Sequence, residues 1–221
     1  MRSGYLHTTK LAEAVQGVPT VYERYGDVKT SKVSVVLLID QSGSMMGGAI
    51  ESARRTAILF KESLKKVQDV SLFIYGHSGD ITSGHSTDLF IFQEPGYDKQ
   101  YSLGNCEAIS QNRDGTAIRE IVKRVRKFTK NPIVFFMIAD GIPAASGYGG
   151  SSGMADVRHA VKFAESKGVQ VINISIDSSY DPSSMYKHYF KFTTLSEVPR
   201  QIGNLMRKVV SKAIEKTTTF R

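Results

Sequence analysis

Apolar residues fall along this chain in two alternating rhythms. Mostly apolar runs occupy 33–39, 70–75 and 133–139, and 169–176 alternates apolar and polar positions; each is short and rich in β-branched or aromatic residues, and so reads as a strand. Between the runs, apolar residues recur at helical spacing. Ile50, Ala53, Ala57, Phe60, Leu64 and Val67 mark one amphipathic helix, and Ile118, Ile121, Val122, Val125 and Phe128 mark a second. Val157, Ala160, Val161 and Ala164 line a third, which Gly168 terminates. The shorter runs 89–92 and 190–192, with polar flanks, read as edge strands. A last helix is capped by Ser196, with Pro199 tolerated in its first turn and Val198, Ile202, Leu205, Met206, Val209 and Val210 on its apolar face. Such stripes are core faces rather than cofactor surfaces. The alternation predicts an α/β fold. Its central sheet is doubly wound and mostly parallel, with helices on both faces and one short antiparallel edge strand. The run 33–39, apolar but for Ser34, is expected at the sheet's centre.

The domain is expected over 31–216, with 1–30 as a lead-in packing on it and 217–221 as a tail. A chain of 221 residues has ample length for one hydrophobic core. Residues 144–153, rich in Gly and Ser, read as a flexible insert. No apolar run is long enough to cross a bilayer, and Met1 to Tyr5 leads into no apolar signal core. The single cysteine, Cys106, cannot form an internal disulfide. Together these features point to a reducing cytoplasm.

Lys and Arg outnumber Asp and Glu by 29 to 21, a net charge of +8. The excess lies largely on predicted helices, at Arg54, Arg55, Lys61, Arg119, Lys123, Arg124, Arg126, Arg207, Lys208 and their neighbours. Solvated outer faces account for such a pattern. Attraction to an acidic partner is the sharper reading. Nucleic acid is disfavoured, because no recognition motif accompanies the charge.

Candidate chemistry gathers where strands end. Asp40-Gln41-Ser42-Gly43-Ser44 follows the first apolar run, Asn112-Arg113-Asp114-Gly115-Thr116-Ala117 opens the second helix, and Asp140-Gly141 ends the run 133–139. In an open parallel sheet these loops meet at the carboxyl edge of the strands, where ligands bind. Carboxylates and hydroxyls are hard oxygen groups, suited to Mg²⁺, Mn²⁺ or Ca²⁺ rather than Zn²⁺. Caps and turns also use these residue types. His77, His85, His159 and His188 show no paired spacing for a zinc site, although His77 and Asp80 follow the second strand toward the same edge.

Asp40-x-Ser42-x-Ser44, Thr116 and Asp140-Gly141 together resemble the metal-ion-dependent adhesion site of the von Willebrand factor A domain. The resemblance implies a metal site formed by Asp40, Ser42, Ser44, Thr116 and Asp140. The three hydroxyls are neutral ligands, and the two carboxylates approach directly or through water. Two negative charges only balance a divalent ion, so an open position would attract a carboxylate from a partner. Asp114 either orients these ligands or caps its helix, the cap being favoured. Gly43, Gly115 and Gly141 are expected to let the loops approach closely.

Further stretches are similar to one intracellular branch, the carboxy-terminal domains of cobaltochelatase T-type subunits and of nitric-oxide-reductase activation proteins. They are Leu37 to Met45, Asn112 to Ile118, Met137 to Pro143, Tyr148-Gly149-Gly150, Asp156 to Val161 and Ile174 to Asp177. Thr116 matches the second group; the cobaltochelatase subunits tend to have an acidic residue there. Members of this branch work beside AAA+ ATPases of the MoxR type. The chain has no Gly-x-x-x-x-Gly-Lys-Ser/Thr loop, so it is not the motor by that mechanism. The resemblance implies a non-catalytic, Mg²⁺-dependent adaptor for such an ATPase. The alternatives are a cobaltochelatase accessory subunit proper, a Mg²⁺-dependent hydrolase lacking any visible general base, and a nucleic-acid binder.

Overall fold

The apolar run that begins at Val33 forms β1 (Val33–Asp40), in which all eight residues are buried. A strand covered on both faces needs apolar side chains at nearly every position, so it does not alternate. The computed structural model describes residues 5–6, 22–23, 33–65, 67, 69–79, 86–98, 102–176 and 180–192. The expected final helix and Asp80 lie outside the described residues. The chain groups into two compact units, Met1–Thr30 and Ser31–Arg221. In the first, Tyr5–Leu6 pairs antiparallel with Tyr22–Glu23.

The second unit holds a seven-stranded sheet. After β1 come β2 (Val70–Gly79), β3 (Thr87–Glu94), β4 (Tyr97–Asp98), β5 (Ile133–Ala139), β6 (Val169–Ile176) and β7 (Tyr189–Phe192). Their order is β7-β6-β5-β1-β2-β3-β4, which puts β1 at the centre as the sequence pattern predicts. From β7 to β2 every pairing is parallel. β3 and β4 add antiparallel strands at one edge. The run 89–92 pairs with β2 alone and so stays at the edge as expected. Pro95-Gly96, with Gly96 at φ 84°, turns the chain so that β4 pairs with Gln93 and Glu94 beyond it.

Helix α1 (Gly48–Leu64) covers one face, setting Ile50, Ala53, Ala57, Phe60 and Leu64 against Val35, Leu37 and Ile39. Phe60 meets Phe136 of β5 edge to face at 5.0 Å. Helices α2 (Asp114–Phe128) and α3 (Gly150–Ser166) cover the other face, packing on Val36, Leu38, Phe135 and Met137. Burial on both faces fixes the register of β1, because a one-residue slip would exchange its two apolar sets.

Residues 144–153, expected as a flexible insert, take regular structure. Ala144–Ala145 and Tyr148–Gly149 pair antiparallel, and α3 starts at Gly150. β2 also runs past the expected end at Tyr75, because Gly76 is a point of close approach rather than a turn. A Cβ there would collide with the Gln41 side chain and with Phe92.

Candidate metal site at the carboxyl edge of the sheet

Parallel pairing brings the carboxyl ends of β1 and β5 to one edge, so Asp40 and Asp140 lie close together. Asp40 is fully buried. Its Oδ1 accepts the Ser42 N–H at 2.8 Å, which folds the loop back into a short 3-10 turn, Gly43–Met45. Ser44 Oγ donates to Asp140 Oδ1 at 3.0 Å and lies 3.0 Å from Ser42 Oγ. Four of the five sequence-predicted residues thus form one hydrogen-bonded chain. Thr116, half-buried in the first turn of α2, stands outside that chain.

Three neighbouring segments hold these loops. Ile109 N–H donates to the Gln41 carbonyl at 2.7 Å, tying the first loop to the segment before α2. Asn112 Nδ2 donates to Asp40 Oδ2 at 2.8 Å, while its Oδ1 accepts the Ala144 N–H at 2.9 Å. Tyr148 Oη accepts the Gly115 N–H and donates to Asp156 Oδ2 at 2.7 Å, and Arg119 grips the same carboxylate at 2.8 and 3.0 Å. This contact explains Gly115, where a Cβ would fall on the Asp156 carboxylate. The close-approach argument does not extend to Gly141, whose Cβ direction is open.

Behind Asp40 lies a group that the sequence reading treats differently. His77 sits within β2, directly opposite Asp40 in the register, and is fully buried. Asp114 does not cap α2; it is the helix's first residue and is fully buried. The cap position falls to Arg113, whose side chain makes no capping bond. His77 Nε2 lies 3.3 Å from Asp114 Oδ1, an ion pair only when the imidazole is protonated, and without hydrogen-bond alignment. Asp40, His77 and Asp114 each offer a ligand atom, all within 4.8 Å of one another, and such a group can bind a metal.

The electrostatics follow from this crowding. Burial pushes the Asp40 carboxyl up to about 7, with the Asp114 charge acting in the same direction and His77, Asn112 and Ser42 opposing it. Asp140 is also raised, mainly by burial, against the Ser44 hydrogen bond. Burial pulls His77 down, but attraction to Asp114 and Asp40 outweighs it and leaves the imidazole raised.

The outer oxygens fit a small hard cation. Adjacent ligands of octahedral Mg²⁺, about 2.1 Å from the ion, stand roughly 3 Å apart. Ser42 Oγ to Ser44 Oγ and Ser44 Oγ to Asp140 Oδ1 are both 3.0 Å. Each Asp40 oxygen accepts one hydrogen bond and so keeps a further lone pair.

Sequence reasoning missed Asn112 as a clamp and Tyr148 as a strut. The sequence signal for both was their place in the stretches that carry the family resemblance.

No protein-family profile matches the chain. It is 28% identical over 193 residues to a Bacillus subtilis (strain 168) protein described as "Uncharacterized protein YojO", covering 80% of this chain and 30% of that protein's length. Among solved structures it resembles the SpaC pilus adhesin of Lactobacillus rhamnosus GG in its open conformation, with TM-score 0.61 and 14% identity over 83% of this chain and 30% of the other. It also resembles a von Willebrand factor type A protein of Catenulispora acidiphila, with TM-score 0.57 and 15% identity over 83% and 43% of the two chains. The chain therefore has a von Willebrand factor A-type α/β fold, with a buried Asp–His–Asp group at the carboxyl edge of its sheet.

Proposed function

We propose that this chain is a divalent-metal-dependent protein-interaction module. Asp40, Ser42, Ser44, Thr116 and Asp140 would hold a Mg²⁺ or Mn²⁺ ion, and a partner would complete the coordination with an Asp or Glu carboxylate. The observation that carries this reading is the chain from Asp40 through Ser42 and Ser44 to Asp140, with 3.0 Å spacing between its outer oxygens. The bound ion would supply positive charge at an accessible edge, and an anionic side chain meets that charge without displacing a protein carboxylate.

The rim suits a protein partner. Met46 is 72% exposed, Ile109 51% and Ile142 40%. They come from three segments that border the site, two residues beyond Ser44, beside Gln41 and two residues beyond Asp140. Large exposed apolar side chains in segments that border the site favour contact with another protein surface. Ser42 Oγ is bonded to Ser44 Oγ rather than to a histidine, which supports binding over nucleophilic catalysis.

In this reading the partner is a MoxR-type AAA+ ATPase, and the module links that motor to a client protein or a metal-cofactor assembly in the cytoplasm. The support is the motif similarity across the three site loops, together with the absence of a phosphate loop of the chain's own. Residues 31–216 would form the interaction domain, with 1–30 packed on it as a lead-in and 217–221 as a tail. Calorimetry with Mg²⁺ and Mn²⁺ tests the site. Binding at these loops should be lost in Asp40→Ala and in Ser44→Ala; equal binding in all three proteins would refute the proposal.

A further inference from the structure

Behind the hydroxyl-lined loops, charge is buried without enough hydrogen bonds to hold it. Both oxygens of Asp114 and both ring nitrogens of His77 are buried and make no hydrogen bond. The Tyr186 hydroxyl, also buried, makes none either. These residues come from the start of α2, the middle of β2 and the segment after the 3-10 turn Pro182–Ser184. Burial pushes the Tyr186 hydroxyl up, and the charges of Asp114 and Asp40 add to it. Protein interiors rarely leave so many polar atoms unsatisfied in one place. A carboxylate without donors is especially costly unless a counter-charge sits beside it.

We propose that Asp40, His77 and Asp114 form a second, inner cation site that takes one divalent transition-metal ion, with Asp40 shared between it and the outer loops. The ligand atoms already lie within 4.8 Å of one another. Around an ion with ligands about 2.1 Å away, pairs stand roughly 3 Å apart when adjacent and about 4.2 Å apart when opposite. The 3.3 Å approach of His77 Nε2 to Asp114 Oδ1 is misaligned for a hydrogen bond but close to the adjacent-ligand spacing. With both sites filled, Asp40, Asp114 and Asp140 set three negative charges against two divalent ions, leaving one positive charge for a partner carboxylate while the imidazole stays neutral.

The donor set also separates this site from the outer one. Hydroxyl and carboxylate oxygens favour Mg²⁺, whereas an imidazole with two carboxylates favours Mn²⁺, Fe²⁺ or Zn²⁺. Tyr186 would then satisfy a solvent oxygen on the ion or a carboxylate lone pair. Because β1, β2 and α2 each contribute a ligand, binding would tie three elements together and would couple to folding. The rival account is a proton: His77 charged as imidazolium and no ion at all.

The test uses the whole chain, stripped with chelator and titrated with Mn²⁺. Calorimetry should count two ions in the wild type. Pulsed EPR of the saturated protein should show ¹⁴N coupling from one directly bound imidazole, a measurement that needs no variant. Asp114→Asn and His77→Gln should each lose one ion, and His77→Gln should lose the ¹⁴N coupling. Ser44→Ala should lose the other ion and keep the coupling. Absence of ¹⁴N coupling in the wild type, or its persistence in His77→Gln, overturns the inner site while leaving the outer one standing. An ion count unchanged in Ser44→Ala, with the coupling intact, would remove the outer site and support the inner one.

Discussion

Asn112 holds Asp40 from the side, its Nδ2 donating to Oδ2 at 2.8 Å, while the other end of the same amide takes the N–H of Ala144. One buried side chain thus sets the distance between the loop after β1 and the loop after β5. Asn112→Ala would strip a partner from a buried carboxylate and from a backbone amide. We expect a stability loss of about 1–3 kcal/mol in urea denaturation. Mn²⁺ affinity should fall about 10–100-fold in calorimetry, the usual effect of removing a group that orients a metal ligand. Unchanged affinity would mean that Asp40 keeps its orientation without the clamp.

The start of α2 depends on Gly115 having no side chain. A Cβ there would overlap the Asp156 carboxylate, which Arg119 and Tyr148 hold in place. Gly115→Ala should cost about 1–3 kcal/mol, as overpacking does. In an Asp156→Ala background the same change should cost clearly less, because the obstructing carboxylate is gone. A double-mutant cycle by urea melts reads the difference, and additive costs would refute the steric account.

Glu94 anchors β3 to α2. Arg124 grips its carboxylate at 2.6 and 2.8 Å, and the Tyr75 hydroxyl donates to it at 2.9 Å. The Arg124 guanidinium holds the carboxyl below its ordinary value of 4.5, with Tyr75 assisting and burial opposing. A depressed folded value means that the stabilisation is complete above the ordinary value and is lost as pH falls through the folded one. At pH 7, Arg124→Ala should cost on the order of 2 kcal/mol. The gap between variant and wild type should narrow in acid. A cost independent of pH down to full acid unfolding would count against this pairing as its source.

Cys106 is fully buried, and that burial pushes its thiol up to about 12, with Glu107 adding to the shift and Arg54 opposing it. The thiolate is the reactive form, so the folded protein should resist iodoacetamide at pH 8 and be modified at once in urea. Rapid labelling of the native protein would contradict both the burial and the shift.

The sheet was legible because its strands are buried on both faces. Val33 to Ile39 has no solvent side, so its pattern admits only a central place. The next apolar run reads as a strand only as far as Tyr75, yet the strand continues through Gly76, whose missing side chain makes room for Gln41. The grouping of the outer loop residues was legible because Asp40, Ser42 and Ser44 are close in sequence. Three of the four that the hydrogen-bonded chain joins come from one loop. The inner residues were not legible. Asp40, His77 and Asp114 meet only through sheet register and helix docking, which no local spacing encodes. Asp114 in particular looks like a cap in sequence, and only the tertiary structure turns its carboxylate inward.

The last prediction separates the metal from the rim that surrounds it. A partner carboxylate would contribute through the ion, whereas Met46 and Ile142 would contribute by covering apolar surface, so the two should fail independently. Burial of apolar surface yields about 0.8 kcal/mol per methylene. Met46→Ser or Ile142→Ser should therefore weaken binding of the proposed partner several-fold while leaving Mn²⁺ affinity as it was. Thr116→Ala should reduce both quantities and spare the fold, since a half-buried hydroxyl contributes little to the core. Excess chelator should abolish partner binding in every protein. Partner affinity that survives chelator and Thr116→Ala, yet falls in the two rim variants, would leave an apolar docking surface and remove the ion from recognition.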